Sequence, residues 1–347
     1  MAESASGNGK KQIYIEYIRA FAAITVVFLH IVMTLPANHT IEELGKFNSA
    51  VFNGCYMPTK WAVPCFVMVT GALLLNPSKK FGYEKIAQYV KRMLWVLLIF
   101  GTGFSLMELV FEDRSFSIYM PFKALLNVAE EKSWDHLWYI YTLIALYLIT
   151  PLIKYAFERI SPKELDILIY ILIIGNFVIP YINFIAQTDI KNYMIISQYA
   201  AYYLLGYWLT TKENRFGCKV IIPGLLATIA MIIIEICSIY QNSAVFEANH
   251  SSKDLLTLIQ SISVFLFIRE MCNEKQIGKV LDAICKCSFG IYIIHPFWIN
   301  LMYKVAKVTP LSMHIGIGII LCFIIVFLLS FVSTLVLKRI PFIKNII

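Results

Sequence analysis

Long apolar runs alternate with short, charged connections along almost the whole chain. A bilayer core takes an apolar helix of about 20 residues. Ten segments approach that length, roughly 14–35, 56–75, 93–111, 136–153, 165–182, 193–210, 220–240, 254–269, 285–303 and 311–337. Pro180 interrupts the fifth, and the last is long enough to tilt. The pattern predicts an all-α polytopic membrane protein of about ten transmembrane helices with no separate soluble domain. Residues 1–12 are small and polar and read as a disordered lead. Residues 13–340 read as a single membrane domain and 341–347 as a short tail. The first run carries Glu16 and Arg19 and lacks a convincing A-x-A site, so it reads as a retained span and not as a signal peptide.

Composition agrees with the pattern. Hydrophobic residues make up 59% of the 347 and charged residues 15%, with a mean hydropathy of +0.69. Soluble domains carry about a quarter charged residues. Charge adds a direction. With ten spans, 20 Lys and Arg fall in the connections on one side and nine on the other. The positive-inside rule then places both termini in the cytoplasm, Arg19 toward the cytosol and His30 toward the outer face. The net charge of +8 is thus a topology signal and not a mark of nucleic-acid binding. Lys79, Lys80, Lys85, Lys91 and Arg92 form a denser cluster suited to anionic lipid headgroups or to a polyanionic cosubstrate.

Arg19 and His30 are the most informative residues. Eleven positions apart, they lie three turns plus about 20° from one another on a helix, on one face and roughly 16 Å apart. Charged and titratable groups are costly in hydrocarbon, so this face should line a protein interior or a wet cavity. Glu16, one turn before Arg19, is placed to neutralise it, with Arg19 snorkelling. His30 reads either as a satisfied interhelical hydrogen-bond donor or as a general base.

Other polar residues keep two readings each. His295 precedes Pro296 in SFGIYIIHPFW, with Tyr292 one turn and Ser288 two turns back on about the same face. That segment is either a proline-bent helix with a capped carbonyl or a substrate contact. His136, with Trp134, Trp138, Tyr139 and Tyr141, fits an interfacial aromatic belt or a sugar platform. Glu235 reads as an unpaired carboxylate in the seventh span. The eight cysteines form no metal or redox pattern; Cys55 and Cys65 are the one pair placed for an outer disulfide. Two sequons, at Asn38 and Asn249, fall on outer connections. Walker, G-x-G-x-x-G and G-x-S-x-G motifs are absent, as is an inverted repeat of the transporter kind.

Five segments in order resemble the acyltransferase-3 family of integral-membrane acyltransferases. The first is the acidic residue, Arg and R-x10-H pattern at Glu16, Arg19 and His30. The others are FVMVTGALLL with Thr70 and Gly71, YVKRMLWVLLIF with Lys91 and Arg92, HLWYIYTLIALYLITPLI and SFGIYIIHPF. The resemblance covers nearly the whole chain. Two departures stand out: Glu16 replaces the more usual Asp, and Leu94 stands where many members carry a second Arg.

The resemblance implies transfer of an acetyl or other short acyl group from cytosolic acyl-CoA to a hydroxyl of a cell-surface glycan or its lipid-linked precursor. It further implies acetyl-CoA as cosubstrate, no metal, and residence in a bacterial cytoplasmic (inner) membrane. On this reading His30, Arg19 and Glu16 are catalytic; Arg19, Lys91 and Arg92 grip the donor phosphates; and His136, Trp138, Tyr292 and His295 meet the acceptor. His30 serves as general base or, through a transient acyl-histidine, as nucleophile. The partners are acyl-CoA, a glycan or lipid-linked sugar and membrane lipids. The sequence carries no signal for oligomeric state. The rival reading is a proton-coupled carrier or flippase whose path runs through Glu16, Arg19, His30 and Glu235.

Overall fold

A computed structural model describes residues 13–77, 82–191, 197–212, 217–241, 250–272 and 275–347. The polar lead and Lys79, Lys80 and Asn249 lie outside the described residues. Those described form helices joined by short turns, with no strand among them.

Nine helices among the described residues are long and apolar enough to cross a membrane. They are α1 (Ile13–Asn38), α2 (Lys46–Leu74), α3 (Tyr83–Asp113), α4 (Asp135–Phe157) and α5 (Pro162–Asn183). After α6 (Gln198–Thr211) come α7 (Cys218–Gln241), α8 (Asp254–Cys272), α9 (Lys279–Val305) and α10 (Ile315–Leu337). The sixth expected span corresponds to α6, whose 14 residues cover only about 21 Å. It is nevertheless deeply buried: Ala201, Tyr202, Tyr203, Leu204 and Leu205 all lie in the core.

Two segments depart from the expected pattern. The second span begins earlier than its apolar run, because Lys46–Tyr56 is helical and leads through a short turn at Met57–Thr59 into Ala62–Leu74. Its asparagines bond backbone carbonyls one turn back: Asn48 donates to Leu44, at the end of the preceding turn of helix, and Asn53 to Ser49. Pro180 does not end α5, because the widened turn at Ile174–Val178 precedes it and the proline falls in the first turn of Ile179–Ala186.

The core is built around α1, which packs against α2, α8, α9 and α10. Among the described glycines, the tightest surroundings are between α2 and α6. A Cβ placed on Gly71 would fall 1.8 Å from the Tyr203 carbonyl oxygen, and one on Gly206 would fall 1.9 Å from that of Met68. Small residues that let helix backbones meet are the usual device for helix association in lipid. A buried polar tie supports the same region, where the Thr150 and Tyr203 hydroxyls are 2.7 Å apart.

Cys55 and Cys65, the one pair placed for an outer disulfide, are both free, and the buried Cys65 thiol faces the Ser261 carbonyl at 3.5 Å. The expected tail folds back instead of trailing away. Residues Pro341–Lys344 make a helical turn, and Ile346 and Ile347 are buried.

Candidate functional site

Arg19 and His30 line one cavity of about 320 Å³, as their shared helix face requires. Arg92 of α3 joins Arg19 at one end, and His136 of α4 joins His30 in the same lining. Between them the walls are apolar and aromatic, including Val26, Phe66, Leu143 and Phe289. The volume falls in the range of small-molecule sites, and the lining has their usual character, apolar with a few polar groups.

The arginine end holds two cations, with Lys338 close enough to feel their charge but outside the lining. Arg19 donates to the Ser288 hydroxyl at 3.4 Å. Arg92 donates through Nε to the Ile346 carbonyl at 2.6 Å, and its guanidinium lies over the Phe289 ring at 5.1 Å. Lys338, just beyond α10, donates to the Lys286 carbonyl. Burial, and then the charges of Arg92 and Arg19, push the Lys338 ammonium below the usual lysine range, against an opposing influence from Cys287. Positive charge gathered in this way favours an anion.

The opposite end is a cluster of imidazoles. The His30 and His295 rings are 4.7 Å apart, and His136 and His295 are 5.8 Å apart. His30 donates through Nδ1 to the Val26 carbonyl at 2.8 Å. A carbonyl only accepts, so the proton sits on Nδ1 and Nε2 keeps its lone pair. His295 does the same with the Ile291 carbonyl at 3.1 Å. Pro296 removes the amide that would otherwise close on the Tyr292 carbonyl. His295 thus stands against the His30 ring at the turn where Pro296 interrupts the helix. The Nε2 atoms of His136 and His295 are buried without a hydrogen-bond partner among the described residues.

A second cavity, of about 760 Å³, lies on the far side of these rings. It is polar, with Glu108, Asn127, Asp135, Asn300 and Lys304 in its lining. His30 and His136 line both cavities and so form their common wall.

The expected site residues divide. Arg19, His30, Arg92, His136, Trp138 and Tyr292 line the first cavity, and His295 backs the wall. Tyr292 spends its hydroxyl on the His136 carbonyl, which makes it a brace for that histidine. Trp138 packs on Tyr199 with ring centres 4.8 Å apart. Glu16 and Lys91 are outside the lining, and Lys91 is exposed. Trp134 belongs to the second cavity, stacked on Phe104 at 4.3 Å and donating to Glu108 at 2.5 Å. Glu235, read as unpaired, is not without a partner and lies away from both cavities. Lys338 and the Ile346 carbonyl were missed, and no local sequence signal marks either.

Fold and site define a multi-pass membrane protein in which a cation-ended apolar cavity and a polar cavity meet at a histidine wall. The chain belongs to the acyltransferase-3 family, whose model, described as an acyltransferase domain, matches residues 12–338. Relatives from three strains of Staphylococcus aureus (MSSA476, MW2 and MRSA252) each bear the name "Probable poly-beta-1,6-N-acetyl-D-glucosamine export protein". Each is 20% identical over 342 residues, covering 91% of this chain and 90% of the relative. No solved structure matches the chain. Among the described residues, no group of His, Cys, Asp and Glu is arranged to hold a metal ion.

Proposed function

We propose that the protein is an O-acyltransferase that moves an acetyl or other short acyl group from acyl-CoA to a hydroxyl of a cell-surface glycan or its lipid-linked precursor. The observation that carries this reading is the wall shared by the two cavities, where His30 meets both. The donor enters from the arginine end. Its phosphates meet Arg19 and Arg92, and its pantetheine arm follows the apolar walls toward the histidines. The acceptor hydroxyl comes from the polar cavity. His30 Nε2 takes the hydroxyl proton as the oxygen attacks the thioester carbonyl. The carbon–oxygen bond forms, the carbon–sulfur bond breaks, and the proton passes to the departing thiolate.

His295 and Tyr292 position this machinery, the first by packing on the His30 ring and the second by bracing His136. The charge asymmetry of the connections supports a cytosolic arginine end, both termini in the cytoplasm and residence in a bacterial cytoplasmic membrane.

Charge-assisted hydrogen bonds to a phosphate contribute about 1.5–3 kcal/mol each. Arg19→Gln and Arg92→Gln should therefore each raise KM for acetyl-CoA by about tenfold or more. Lys91→Gln should leave it unchanged. Steady-state kinetics on the purified protein read this directly, and an unmoved KM in both arginine variants would exclude this end as the donor site.

The names of the relatives favour a second reading, export of a glycan along the path from one cavity to the other. The two differ in thioester use: a carrier moves its glycan without consuming acetyl-CoA.

A further inference from the structure

The polar cavity does not end at protein. A narrow groove of about 80 Å³ continues from it between α3 and α9, and both share Glu108, Trp134, Asn300 and Lys304. Beyond those residues the groove is apolar, walled by Met107 and Phe111 on one helix and by Phe297, Leu301 and Val305 on the other. Met107, Phe111 and Val305 are 46%, 52% and 58% exposed on helices of membrane-spanning length, so this wall faces lipid. The junction is closed by one side chain. Glu108 of α3 accepts from Lys304 of α9 at 2.7 Å and from the Trp134 indole at 2.5 Å.

We infer that the acceptor enters sideways from the bilayer as a sugar carried on a long hydrocarbon chain, with the sugar in the polar cavity and the chain in this groove. The inference rests on the acyl-acceptor reading of the polar cavity. Three observations support it. The polar space is large and the apolar space narrow, which fits a bulky polar head on a single chain. A protein helix, about 10–12 Å across, is far too wide for the groove. The charged side chains lining the polar cavity balance, with Glu108, Glu112 and Asp135 against Lys132, Lys304 and Lys307. Such a lining suits a neutral sugar better than the bare anionic headgroup of a bulk phospholipid.

The flanking connection fixes the depth of the entrance. Between α3 and α4 the short helix Met120–Ala129 buries Met120, Ala124 and Val128 and exposes Phe122, Leu125 and Leu126. Phe116, Ile118 and Tyr119 before it are also exposed. An apolar face of this kind lies in the interface between headgroups and chains. The Glu108–Lys304 closure at the end of the same helix pair is thus within reach of a lipid-borne sugar.

The test uses the full-length protein in lipid nanodiscs and a phytanyl N-acetylglucosaminide carrying a diazirine on its chain. Photolysis should label peptides containing Met107–Phe111 and Leu301–Val305. Excess unlabelled phytanyl glycoside should displace the label and phosphatidylglycerol should not. Met107→Trp and Leu301→Trp, both at lipid-facing positions that tolerate bulk, should each cut labelling at least tenfold. Equal displacement by phosphatidylglycerol, or unchanged labelling in both variants, overturns the inference. Acetyl transfer forms the second arm. The phytanyl glycoside should be acylated at least tenfold faster than methyl N-acetylglucosaminide, and Met107→Trp should remove most of that advantage. Equal rates on the two acceptors overturn sideways entry while leaving the acyltransferase reading intact. Specific labelling with acylation of neither acceptor supports the groove and its occupant and sinks the acyltransferase reading instead.

Discussion

His30→Ala lowers acetyl transfer by about 10²–10⁴-fold, the range a positioned general base contributes. The protein should still insert and fold, and acetyl-CoA should still bind, because the proposed phosphate site at Arg19 and Arg92 lies at the other end of the cavity. The size of the loss follows from the geometry. His30 sits on the wall between the cavities, with its Nδ1 proton committed to Val26 and its Nε2 lone pair unspent. His295 does not substitute for it, since it is fully buried and lines neither cavity. Transfer of radiolabel from acetyl-CoA measures the rate, and donor binding measured on the same preparation separates lost chemistry from lost structure. A variant with full transfer would remove His30 from the mechanism.

The largest effect on stability is expected at the crossing of α2 and α6. Gly71→Val and Gly206→Val each force side-chain atoms into a space already held by backbone, since even a Cβ would stand 1.8 Å and 1.9 Å from carbonyl oxygens. Overpacking a tight core costs about 1–3 kcal/mol when side chains can shift. Here the opposing atoms are main chain and cannot turn aside, so each substitution should exceed that range and prevent assembly of the bundle. Gly103→Val is the control, because nothing stands within 4 Å of its Cβ position. Yield of monodisperse protein in detergent and its thermal midpoint check the prediction. A Gly206→Val protein as stable as the Gly103→Val protein would contradict the close approach.

How much of this was legible beforehand depends on how local each feature is. The Arg19–His30 spacing lies within one helix, and helical periodicity alone put both on a shared face, which the common cavity bears out. The Thr70–Gly71 segment was quoted as a motif, but its partner Gly206 lies far along the chain, so the reason for the glycine appeared only with the fold. The histidine cluster has the same character. Its members come from α1, α4 and α9, and no spacing in a single sequence relates them. The aromatic group opening α4 was legible as aromatic and not as divided, yet Trp138 and Trp134 turn to different cavities. Helix α6 was expected as a full span because its apolar content is high. It is short, and it packs on α2 with Tyr202, Tyr203 and Tyr207 buried. Lys338 looked like one of many topology-setting cations until folding placed it beside Arg19 and Arg92.

The account turns on whether the two cavities meet for chemistry or for passage. Purified protein in sealed proteoliposomes, given acetyl-CoA on one side and a glycan acceptor on the other, separates the two when released CoA thiol and acetylated glycan are counted together. One thiol released for each acetyl ester formed, with both lost in His30→Ala, is the result expected of an acyltransferase. Glycan crossing the bilayer while acetyl-CoA stays intact would contradict it.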